Sequence, residues 1–328
     1  MDNKLEQFFD NYSQIINDVD YKLTFFKNLS DKAYLEMTRL LPKVNVSLKA
    51  IGRKIDETVS PLKIGSIPEK SVKEVLVLAD EFRVIPGVIL GIMTSLQVQD
   101  AVEQCIEHII KTLNFTEELI DSTKAKEPDD ETYRVIKYLK MMPELLSAQL
   151  DHIYTRMDDS LCFLPKQFHN IFEILRPTIS MEDLLEGKAE MNKMEIIIER
   201  LAELKNATES TDEIDVLIDT ATDEIRELEK EIPEVTNMLD LSSAAPRTLQ
   251  QPLTEILLLT SKIDAASIAA DSLLLKMYEG EVDDINCNEL LTKVVAHFST
   301  KGEIDIAREL FGDLEIEESG EEGELELF

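Results

Sequence analysis

Apolar residues recur at three- and four-residue steps from the first turn of this chain to about residue 60. Leu5, Phe8, Tyr12, Ile15, Val19, Phe26, Leu29, Ala33, Met37, Leu40, Val44, Leu48, Ile51 and Ile55 carry the pattern. A period near 3.5 held this long cannot be satisfied by a strand, whose side chains alternate every two residues. It predicts long helices that bury one stripe in a coiled coil or a bundle. Ile214, Ile218, Ala221, Ile225, Leu228, Ile232, Val235 and Leu239 repeat the signal without a slip. The fold expected is therefore all-α: long antiparallel helical hairpins in a four-helix-bundle or coiled-coil-like arrangement.

Composition supports this reading and narrows the function. Ten glycines and eleven prolines in 328 residues leave little material for turns, and there is no Trp. With 34 basic and 66 acidic residues the formal net charge is −32. Such a field repels phosphate backbones and anionic lipid, which argues against nucleic-acid or membrane partners. Cys105, Cys162 and Cys287 lack metal-binding spacing and lie far apart, as expected of a reducing cytoplasm. The first residues lack the shape of a signal peptide, and the stretch from Val84 to Leu96 is too short to span a bilayer and holds Pro86 and Gly87. A cytoplasmic protein is the expectation.

Proline, glycine and charge divide the chain into N-terminal long helices (1–60), a helical hairpin (70–165), a heptad-rich helical region (180–300) and an acidic tail (312–328). Pro42 predicts a kink or break in the first part, and Phe8, Phe9, Phe25 and Phe26 at helical spacing predict core. The segment 61–68 reads as a connector, and Val72–Leu78 as helix, for want of partner strands. The hairpin turns at Lys124–Asp130 with Asp130 as N-cap, and Pro143 kinks its return stripe, Tyr133 to Leu161. Two such helices cannot bury both sides alone, so a second hairpin must come from this chain or from another copy. Pro165–Pro177 reads as a second connector, Met181–Glu186 as a short helix and Ser242–Pro252 as a break. Leu253–Tyr278 reads as a further helix, Asn288–Phe298 and Glu303–Phe311 as short ones, and the glutamate-rich tail as disordered.

One stretch carries candidate chemistry. In Leu96–Ile110, Val98, Val102, Cys105, Ile106 and Ile109 form the apolar stripe, while Gln97, Asp100, Gln104, His108 and Lys111 step along the other side. Asp100 and Gln104 stand one turn apart and point the same way. A glutamine amide is no base at neutral pH, but it donates and accepts hydrogen bonds together, which suits holding a water in line with a phosphoryl group. A carboxylate one turn away can grip a neighbouring cation. The stretch supplies no metal, phosphate loop or nucleophile, so its substrate site would belong to another protein.

The run from Ile92-Met93 through Gln97-Val98-Gln99-Asp100 to Gln104-Cys105-Ile106 resembles the active-site helix of the CheZ family of chemotaxis phosphatases. The resemblance implies that Gln104 positions the attacking water and that Asp100 engages a conserved lysine of a phosphorylated CheY-like receiver. That receiver would bring both the aspartyl phosphate and its Mg²⁺, so no cofactor of the chain's own is expected. The family pattern also implies a homodimer, and Gln97 and Gln99 are candidate partner-binding residues beside the pair. A C-terminal segment would dock the receiver, here Leu325, Leu327 and Phe328, with Ile304–Phe311 as the competing candidate. Two other readings remain: an adaptor that binds receivers or receptor bundles without catalysis, and a coiled-coil scaffold unrelated to chemotaxis. His108, His152 and His169 have no partners at ligand spacing and read as ordinary polar residues.

Overall fold

The computed structural model describes residues 2–60, 69–124, 127–176, 193–207, 212–278 and 282–312. Every regular element among them is helical. Three long helices open the chain: α1 (Asp2–Val59), α2 (Glu69–Lys124) and α3 (Asp130–Leu175). Then come α4 (Lys193–Ala207), α5 (Asp212–Glu229), α6 (Ile232–Leu257) and α7 (Leu259–Met277). A 3-10 turn (Val282–Asp284) leads to α8 (Asn288–Val295) and α9 (Lys301–Phe311). The all-α expectation holds.

The chain forms two compact units, each drawing on α1, α2, α3 and α6. The first comprises Met1–Asp31, Val98–Asp159 and Leu249–Phe328. Within it α1 runs antiparallel to α2, because Asp10 pairs with Lys124, Asn17 with Glu117 and Lys27 with Glu107. Thr116 of α2 meets Tyr138 of α3, and α3 in turn meets α7 through Ser147–Asp264 and Lys140–Asp271. Lys262 of α7 closes the ring onto Asp18 of α1. This is an up-down-up-down four-helix bundle. Leu23, Phe26, Ile106, Ile109, Leu139, Leu150, Ile263 and Ala270 form its core, each at most 4 % exposed.

The second unit comprises Lys32–Gln97 and Ser160–Thr248. Arg83 of α2 pairs with Asp56 of α1, and Thr58 of α1 donates to Glu224 of α5 at 2.5 Å. Lys205 of α4 pairs with Asp219 of α5, and Arg176, just past α3, with Asp240 of α6. The regular heptad residues Ile218 to Leu239 are all buried. Ile214's side chain and the segments 61–68 and 177–192 lie outside what is described, as do 181–186 and the tail 313–328.

Of the two sources expected for the helices that complete the bundle, this chain supplies them itself, as α1 and α7, two helices remote in sequence. Other expectations needed correction. Pro165 lies inside α3, which runs on to Leu175, and Pro246 and Pro252 lie inside α6, so Pro165 itself ends no helix and Ser242–Pro252 is not a break. The described break falls at Leu258 instead. Pro42 and Pro86 are likewise inside their helices. A proline removes only one intrahelical hydrogen bond, and where the freed carbonyl finds another donor or water the helix continues. The cap of α3 is Asp129, whose Oδ1 accepts from the Thr132 N–H at 3.0 Å while Thr132 Oγ1 accepts from the Asp129 N–H. Phe8, Phe9 and Phe26 are buried, but Phe25 is 53 % exposed. Within α2 the segment Asp80–Lys124 is long and apolar enough to cross a membrane, a property that core helices share.

Candidate functional site

Asp100 and Gln104 both lie on the exposed face of α2 in the first unit, while Val102, Cys105, Ile106 and Ile109 beneath them are buried. At 100° per residue, Glu103 and Glu107 fall on one side of Gln104, and Cys105 and His108 fall on the other. Each side is held by a different helix.

On the first side Lys27 of α1 places its Nζ 2.5 Å from Glu107 and 3.4 Å from Glu103. Its hydrogen bond to Glu107 holds the ammonium above its usual range and the Glu107 carboxyl below its own. Gln99 turns the same way: it is 8 % exposed, and its amide donates to Asp31 of α1 at 3.5 Å. Gln99 is therefore engaged within the bundle rather than on its surface. Gln97 is exposed but belongs to the second unit.

On the other side sits α9. Thr300 and Glu303 form a capping box at its start. The Glu303 carboxylate is 1 % exposed and also takes Nδ1 of His108, at 2.9 and 3.0 Å from its two oxygens. A carboxylate can only accept, so the shared proton sits on Nδ1 of the imidazole. Cys105 lies 3.5 Å from the Thr300 hydroxyl, and burial first, then Glu303, pushes its thiol up to about 11. It stays protonated and is no nucleophile. A Cβ on Gly302 would collide with the His152 ring, so a side chain there would have to displace that ring or α9.

His108, expected as an exposed polar residue, is thus buried. Nothing near it in sequence foretells this, because its partner stands 195 residues away. The Thr300-x-x-Glu303 signature could have been found as a capping box; its second role, binding His108, could not. Leu325, Leu327 and Phe328 fall outside the described residues. The competing segment Ile304–Phe311 is packed as α9, with Ala307 and Phe311 buried and Asp305, Arg308 and Glu309 exposed. Among the described residues no group of three or more His, Cys, Asp or Glu side chains could hold a metal ion.

The resulting surface is an amide and a carboxylate on a rigid helix, rimmed by acidic side chains and open to solvent. It can hold a water and a cationic group. Comparison with family models, curated proteins and solved structures gives no match to this chain.

Proposed function

We propose that this chain is a CheZ-like phosphatase that accelerates dephosphorylation of a CheY-type receiver in cytoplasmic chemotaxis signalling, acting as a homodimer. The observation that carries the reading is the joint exposure of Asp100 and Gln104, one turn apart on a helix clamped at both edges. A site completed by another protein must be open in just this way. Had Gln104 been buried, the reading would have failed.

The Gln104 amide holds a water in line with the receiver's phosphoryl group, its oxygen accepting and its NH₂ donating. The water oxygen bonds to phosphorus as the bond from phosphorus to the aspartyl oxygen breaks. The carboxylate leaves with the electron pair, and the water's proton passes to the departing inorganic phosphate. Asp100 pairs with a lysine of the receiver and so fixes the approach. The acidic rim of Glu103, Glu107 and Asp31 suits a partner that presents a cationic face. Mg²⁺ belongs to the receiver.

The test is decay of a phosphorylated CheY-type receiver, wild type beside Gln104→Ala. A loss of about 100-fold in kcat with binding retained is expected, since misplacing the reacting water removes positioning alone. An unchanged rate in Gln104→Ala, or no acceleration by wild type with any receiver of the same genome, overturns the reading. Receiver binding without turnover would leave the adaptor.

A further inference from the structure

Three carboxylates stand on α2 around Gln104: Asp100 four residues before it, Glu103 beside it and Glu107 three residues after it. At 100° per residue, Asp100 and Glu107 are both swung to the same side of the amide, by about 40° and 60°. Along the helix axis they lie one turn to either end of it. A cationic group of a partner can therefore enter beside Gln104 in two registers, anchored at Asp100 or at Glu107. A rigid partner shifted between them moves by seven residues of rise, about 10 Å, which takes its phosphoryl group out of reach of the amide. Helix spacing alone does not choose.

What separates the two carboxylates is Lys27 of α1. Its Nζ lies 2.5 Å from Glu107 and 3.4 Å from Glu103. Burial does not withhold these glutamates, whose side chains are 45 % and 34 % exposed. The hydrogen bond to Lys27 keeps Glu107 ionised yet occupied. Lys111, one turn beyond, reaches Glu107 only through its charge. Asp31 on α1 is met by the Gln99 amide. Among the described residues, Asp100 and Gln104 have no hydrogen bond or ion pair.

We propose that Lys27 sets the register of docking: it occupies Glu103 and Glu107, so that a partner's cation enters at Asp100 alone. This role, which rests on the proposed phosphatase activity, is that of a positioning residue. Lys27 touches neither the partner nor the reacting water. It selects by exclusion, removing a competing arrangement rather than improving the productive one. At a distance the acids draw a cationic face inward together. At contact, an ammonium already bonded to both glutamates repels a second cation there.

The experiment is steady-state hydrolysis of a phosphorylated CheY-type receiver by the full-length chain. Wild type is compared with Lys27→Ala, with Lys27→Ala joined to Glu103→Gln and Glu107→Gln, and with Lys124→Ala. Freed glutamates hold the receiver out of register, and such non-productive binding lowers kcat and KM together while kcat/KM is kept. Three equivalent carboxylates leave one bound receiver in three at Asp100, so in Lys27→Ala both constants are expected to fall about threefold. The triple variant should recover the wild-type kcat, because Asp100 is again the sole anchor. Lys124→Ala, which removes the same charge at the pair with Asp10, should lower neither constant. A kcat that does not fall in Lys27→Ala, or a kcat/KM that falls with it as a merely structural pair gives, overturns the register role and leaves the phosphatase standing. So does a triple variant that stays slow. A wild type without activity overturns the phosphatase and the role of Lys27 with it.

Discussion

The hydroxyl of Tyr12 on α1 lies 2.9 Å from the carbonyl oxygen of Leu139 on α3, deep in the first bundle. That carbonyl would accept from the N–H four residues on, but the residue there is Pro143, which has none. The side chain of one helix thus repairs the hydrogen bond that a proline removed from another. Ser267 of α7 donates to the next carbonyl, that of Lys140, at 2.8 Å. A buried proline that would otherwise leave an orphaned acceptor becomes a point of registry between three helices.

Tyr12→Phe should therefore destabilise the protein by about 1–3 kcal/mol, the cost of leaving a buried carbonyl without a donor. In a Pro143→Ala background the helix supplies its own N–H, and the same substitution should cost about 1 kcal/mol less. Urea unfolding of the four proteins measures the coupling. Equal costs in both backgrounds would show that the Tyr12 bond does not compensate for the proline.

The docking of α9 should hinge on the buried pair of His108 and Glu303. Glu303→Ala removes the capping box and leaves the imidazole buried without its acceptor, a combined cost of about 2–4 kcal/mol. Gly302→Ala should release α9 by pushing against the His152 ring, and Gly302→Ala with His152→Ala should restore it. Amide hydrogen exchange over residues 300–312 reads both effects. Protection of α9 unchanged in Glu303→Ala would mean that apolar contacts through Ala307 and Phe311 suffice.

Stability should also depend on His152 as pH falls below about 6.5. Burial, and then the neighbouring Arg156 charge, lower its pKa, with Glu303 and Asp151 opposing. A histidine depressed in the folded state binds fewer protons than in the unfolded chain. Its contribution is therefore complete above the unfolded value of about 6.5 and is lost as pH falls through the folded value. Acidification also relieves the repulsion of a chain at −32, so the informative quantity is a difference. Tm of wild type should fall relative to His152→Gln across that window; parallel curves would remove His152 from the account.

Much of this architecture was legible in the residues. Of the return stripe, Ile136, Leu139, Leu146, Leu150, Ile153, Met157 and Leu161 are buried as the spacing requires, and Tyr133 at its start is half-buried. The pair Asp100 and Gln104 stands one turn apart and exposed on α2. Such features repeat over neighbouring residues, and helix geometry alone turns the spacing into a face. Gln99, Phe25 and His108 were not legible, because whether a residue at the edge of a stripe is covered depends on what packs there.

The sequence by itself determined that this chain is helical, which faces of its long helices are apolar, and which turn of α2 carries an amide beside a carboxylate. These follow from periodicity, which is local. Only the tertiary structure decided where the helices end and what closes each bundle. Pro143 stays within α3 because a tyrosine 131 positions earlier faces its orphaned carbonyl. His108 is buried because a glutamate 195 positions later returns to it. Both outcomes depend on hydrogen-bond partners that are near in space and remote along the chain, and no local pattern records them.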